Sequence, residues 1–174
     1  MTYLDELQKV LTEINWDQVD ELRDELKKLK GRLFILGVGG SAANASHAVN
    51  DFRKIANIEA YAPTDNVAEI TARTNDDGWK TTFNSWLLTS KINSSDMVMV
   101  LSVGGGSLEA SENIREAITD AKMGGATIVG IVGPDGGYTA SEGHICINIP
   151  AKEHITPLTE AFQSIIWHKI VNEL

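Results

Sequence analysis

His47 and Asp51 are the first residues in this chain whose types and spacing suit chemistry. Four apart on a helical stretch, an imidazole and a carboxylate share one face and can bind a metal ion or pass a proton. Just upstream, the apolar run from Leu33 to Leu36 enters a turn containing Gly37, Gly39, Gly40 and Ser41, and a helix follows. The first amides of a helix have no internal partners and carry a partial positive charge, so backbone alone can hold a phosphate there. The glycines allow close approach, and the Ser41 hydroxyl adds a donor. The turn lacks the third glycine of the dinucleotide fingerprint, Ala42 standing in its place, and it lacks a P-loop lysine, so no nucleotide cofactor is expected.

Two further Gly-rich loops follow. In residues 102–107 the hydroxyls of Ser102 and Ser107 bracket three glycines, Gly104 among them, and this loop reads as a second hand on the same phosphate, at the mouth of a helix over 108–123. The plainer reading is a flexible turn with a serine helix cap. Residues 133–137 read as a structural turn.

The elements that must position these groups alternate. Apolar runs at 33–36, 59–62, 97–101, 127–132 and 146–149 have the continuous character of parallel strands covered on both faces. Helical stretches lie between and after them at 42–56, 66–75, 80–91, 108–123 and 157–173. The pattern predicts a doubly wound α/β sandwich with a five-stranded parallel sheet, as one domain over residues 1–174. Two amphipathic helices precede the first strand, with Leu4, Leu7, Leu11 and Ile14 on one and Val19, Leu22, Leu26 and Leu29 on the other. They must cover either their own sheet or a neighbouring subunit, and their apolar surface predicts a homo-oligomer. A net charge of −9 argues against nucleic-acid and anionic-membrane partners. No apolar run approaches membrane-spanning length and the acidic N-terminus does not read as a leader, so a cytoplasmic location is expected. The single cysteine, Cys146, excludes an internal disulfide and reads as a buried, inert thiol. Trp16, Trp79, Trp86 and Trp167 read as core or interface, and His144 and His154 as structural or surface residues.

Taken together and in order, Gly39, Gly40, Ser41 and His47, then Thr74 to Gly78, then Ser102 with Ser107, then a C-terminal helix carrying Glu160 and His168, resemble the phosphoheptose isomerases of the sugar isomerase (SIS) domain superfamily. The resemblance implies interconversion of sedoheptulose 7-phosphate and a heptose 7-phosphate, in homotetramers whose sites lie between subunits. It implies that His47, Asp51, Glu160 and His168 surround the reacting carbons and can hold zinc. His168 would be the acid, with Asp51 or Glu160 the base. Asn75 and Asp76 would lie at the substrate, and Gly39, Gly40, Ser41, Ser102, Gly104 and Ser107 would hold the phosphate.

Three departures stand out. The family's phosphate loop carries two more hydroxyls than residues 102–107 do here, Asp51 stands where the family has glutamate, and Glu160 where it has glutamine. Moving a carbonyl between two sugar carbons needs a base, an acid and a stabiliser for the enediolate, and two imidazoles with two carboxylates can meet those needs with or without a divalent ion. On spacing alone, His47 and Asp51 are also what a solvated helical pair looks like, and Gln163 is a polar group one turn after Glu160 that takes its place if the register shifts. The rival function is a non-catalytic SIS module that binds a sugar phosphate or a protein partner.

Overall fold

The computed structural model describes residues 1–174. Helices α1 (Tyr3–Glu13) and α2 (Trp16–Lys28) precede β1 (Leu33–Gly37), α3 (Gly40–Lys54) and β2 (Ala60–Tyr61). Then come α4 (Val67–Asp77), α5 (Thr82–Thr89), β3 (Met97–Ser102), α6 (Glu112–Met123), β4 (Thr127–Val132), α7 (Gly137–Glu142), β5 (Ile145–Asn148) and α8 (Ile155–Glu173). All five strands are parallel, in the order β2-β1-β3-β4-β5.

Strand alternation builds two cores. Leu33, Ile35, Met97, Met99, Val129 and Ile131 face one way, into a cluster completed by α1, α2, α3 and α8. Phe34, Leu36, Val98, Val100 and Ile128 face the other, against Phe83 and Leu87 of α5 and Ile114 and Ile118 of α6. In α3 the small residues Ala45 and Ala48 are fully buried, which lets that helix lie close on the sheet. The order in which strands are added reverses between β1 and β3, the switch point where ligands bind in such sheets. Ser41, at the start of α3, and Ser102, at the end of β3, stand where the chain leaves those two strands.

Several details differ from the sequence expectation. Helix α6 starts at Glu112 rather than at 108, because residues 107–111 form a turn closed on the Ser107 hydroxyl and Ser111 takes a left-handed backbone. Strand β2 has two residues, and the short helix α7 follows the 133–137 turn, where only a turn was expected. That turn packs on the preceding loop: Tyr138 N–H donates to Gly106 O and Thr139 N–H to Gly105 O. The apolar stripe of α2 is consumed within its own chain, Val19, Leu22 and Leu26 all being buried against α8 and β5. On α1, Val10 and Ile14 are buried while Leu4 and Leu11 stay exposed, because the helix turns Glu6 inward instead. Trp167 is fully buried and Trp79 exposed. His144 accepts the backbone N–H of Ile128, a structural role. Burial pushes the Cys146 thiol up to about 11.

Candidate active site

Helices α3 and α8 lie side by side, and the predicted residues are strung along their seam. At the mouth of α3 stands Glu160. A Cβ on Gly40 would press on its carboxylate, so glycine lets that side chain lie over the positive end of the helix, where any other residue would make it swing aside. One turn down, the Asn44 amide donates to the Glu160 carbonyl (2.9 Å) and to Gln163 Oε1 (3.1 Å). Gln163 is fully buried and donates to Ile131 O, so it clamps α8 to the sheet, and the register leaves Glu160 at the mouth.

Further down, three predicted residues meet. His47 Nε2 and His168 Nε2 each lie 3.7 Å from the same oxygen of Asp51, Oδ2. The two imidazole rings are 5.2 Å apart and nearly perpendicular, at 83°. The other Asp51 oxygen accepts from the Asn50 amide at 2.8 Å. His168 Nδ1 donates to the Ser164 carbonyl at 2.7 Å, which requires a proton on Nδ1 and turns Nε2 toward Asp51. Helical spacing could have found all three: Asn44, one turn from both Gly40 and His47, Asn50, one turn after His47, and Ser164, one turn before His168. Glu160 does not join the trio: it precedes His168 by eight residues, about 12 Å along the helix axis, and faces Gly40.

The donor set fits a divalent metal. The ligating atoms of His47, Asp51 and His168 all lie within 4.8 Å of one another. Tetrahedral zinc places its ligand atoms about 3.3 Å apart, a few tenths of an ångström closer than the 3.7 Å contacts here. Donation of the second ring nitrogen to a backbone carbonyl, as in His168, is the usual way such ligands are oriented. A second group, Glu6, Glu153 and His154, is occupied differently. Buried Glu6 accepts the backbone N–H groups of Lys152, Glu153 and His154 together with the His154 ring, tying α1 to the start of α8. Burial alone would raise its pKa, but these donors hold it down to about 2.

The phosphate-loop serines work inside their own loop. Ser102, buried, accepts the Gly105 N–H, and Ser107 Oγ accepts the N–H groups of Glu109 and Ala110. Gly105 has a φ of +66° and lies against the Gly136 carbonyl, where any side chain would clash. Gly104, by contrast, has open space beside it. Ser41 is buried at the start of α3 next to Gly39 and Gly40. Asn75 and Asp76 are exposed near the end of α4, paired to each other, and α4 packs chiefly on α5 and the flanking short turns.

The chain has known relatives. Phosphoheptose isomerase from Aneurinibacillus thermoaerophilus is 30% identical, the alignment covering 88% of this chain and 77% of that protein. The chain belongs to the phosphoheptose isomerase family. Phosphoheptose isomerase from Syntrophotalea carbinolica is 29% identical over 96% of this chain and 87% of its own length. Among solved structures, phosphoheptose isomerase from Neisseria gonorrhoeae superimposes with a TM-score of 0.84 at 20% identity, over 97% of this chain and 91% of that one, which shows a shared SIS fold. No protein-family model matches the chain. No helix is long and apolar enough to cross a membrane.

Proposed function

We propose that this member of the family is an aldose–ketose isomerase that carries sedoheptulose 7-phosphate to a heptose 7-phosphate through an enediolate. The observation that carries the reading is the meeting of two imidazoles from two helices on one oxygen of Asp51. A binding module has no need to converge two imidazoles on one carboxylate, and this favours the enzyme over a regulatory module.

In this reading Asp51 takes the proton that moves between C1 and C2, and His168 moves protons on the two oxygens, its ring orientation fixed by Ser164. Asp51 is the better placed base of the two carboxylates, because Glu160 faces the mouth of α3. As an alternative to those proton-transfer roles, His47, Asp51 and His168 would hold a divalent ion such as zinc, which when bound would polarise the substrate oxygens and stabilise the enediolate. The phosphate would sit at the switch point on Gly39, Gly40, Ser41, Ser102, Gly104 and Ser107, through backbone N–H groups as much as hydroxyls. In this reading the Glu160 carboxylate beside Gly40 would repel a dianion on that side of the mouth, so the phosphate would lean more on Ser41 and the 102–107 loop than on Gly40.

Asn75 and Asp76 lie on a helix that does not pack on the seam, and Leu4, Leu11, Val67 and Trp79 leave apolar surface exposed. Both features favour a homotetramer in which these residues serve a neighbour's site; a cytoplasmic location is part of the same proposal. The test is exchange: sedoheptulose 7-phosphate in deuterated water with the protein should gain deuterium at C1, followed by NMR, with conversion to the aldose. Tight phosphate-dependent binding with no exchange would instead support a binding module.

A further inference from the structure

We propose that Trp167 is a positioning residue of this centre, the wall that holds the His47 and His168 rings so that both Nε2 atoms address Asp51. The proposal rests on the isomerase reading for its kinetic consequence and on geometry alone for its structural one.

Trp167 is fully buried in the larger core, yet its ring faces the site. Its plane stacks on the His168 ring, 3.5 Å between centroids at 27°, and meets the His47 ring edge to face at 4.8 Å and 71°. One rigid indole therefore bounds both imidazoles and sets the near right angle between them. Both histidines need such a boundary. Their side chains are 57% and 41% exposed, so solvent does nothing to fix their rotamers. His168 has the Ser164 carbonyl as one anchor. His47 has no hydrogen bond within the chain and stands 3.7 Å from Asp51. Orientation that a ring N–H bond to a carbonyl or carboxylate usually provides falls here to aromatic packing.

The indole is itself placed by packing and not by polarity, since Trp167 Nε1 is buried without a partner. A core position would be served as well by an aliphatic side chain, with no donor left unpaired. A flat, stiff ring at a buried position that meets both imidazoles is what a positioning role calls for.

The experiment compares the full chain with Trp167→Phe, which keeps a flat wall, and Trp167→Met, which keeps apolar bulk without one, with Trp167→Leu as a second non-aromatic variant should methionine fail to fold. Thermal melts confirm that each is folded. In the isomerase assay the non-aromatic variant should lose about ten- to a hundredfold in kcat with KM within about threefold, and Trp167→Phe should recover most of the loss. In the protein without substrate, cross-relaxation between the two imidazole C–H groups should persist in the Phe variant and vanish in the non-aromatic one. A folded non-aromatic variant with wild-type kcat and intact imidazole contact overturns the proposal. Should the wild type show no isomerase activity, the isomerase reading fails separately, and loss or survival of the imidazole contact still decides the role of Trp167.

Discussion

Asp96 and Asp51 belong to different parts of the molecule and are treated in opposite ways. At the amino edge of the sheet, Asp96 is almost fully buried, and its oxygens accept five donors: the Arg32 guanidinium at 3.1 and 2.8 Å, the Arg32 N–H at 2.9 Å, and the Asn93 N–H and side-chain amide at 3.0 Å each. Burial alone would raise its pKa, but the Arg32 side chain and these N–H groups hold it below the usual carboxylate range. At the α3–α8 seam, Asp51 has one close donor, Asn50, and two imidazoles held back at 3.7 Å. A carboxylate whose lone pairs are all filled holds the fold. One whose partners stand just beyond hydrogen-bonding distance keeps a lone pair available for a proton or a metal ion.

The comparison breaks most visibly at Asp96. Asp96→Ala leaves a largely buried guanidinium uncompensated and should cost about 3–5 kcal/mol in urea unfolding. Asp51→Ala should leave the urea midpoint nearly unchanged while isomerase activity falls about a hundredfold or more. Equal destabilisation by both would erase the distinction.

Glu6 extends the first class to the start of α8. Its depressed pKa contributes stability that is full above the unfolded value of 4.5 and is lost as pH falls toward about 2. Glu6→Gln should therefore be less stable than wild type at neutral pH, with the gap closing between pH 4.5 and 2. An unchanged gap in acid urea titrations would remove Glu6 from the class of structural carboxylates. The smallest effect belongs to Ser107, whose hydroxyl accepts two N–H groups of its own loop. Ser107→Ala should weaken inorganic phosphate binding by about 1–1.5 kcal/mol in calorimetry, with the fold intact.

Much of this was legible in residue types and spacing. Continuous apolar runs such as Val98 to Leu101 announced buried parallel strands, and Gly-rich turns after the first and third of them placed the switch-point loops. His47 and Asp51 were visible as a pair because helical spacing is local. The pairing of Asp51 with His168 spans over a hundred residues, and only a resemblance to known isomerases linked the two positions. The start of α6 was misjudged because Ser107 is chemically able to cap a helix and equally able to close a turn, and the turn won. Glu6 escaped notice since a charged residue on an amphipathic helix reads as solvated; the backbone donors that bury it lie almost 150 residues away. Trp167 was legible as core, but its contact with both imidazoles depends on the packing of α3 against α8.

The most direct test of the reactive centre is C1 proton exchange on sedoheptulose 7-phosphate in deuterated water, wild type against His168→Gln. His168→Gln should abolish exchange while leaving phosphate affinity nearly unchanged, because it removes a group needed mainly in the transition state. Exchange at the wild-type rate by a folded His168→Gln variant would contradict the assignment.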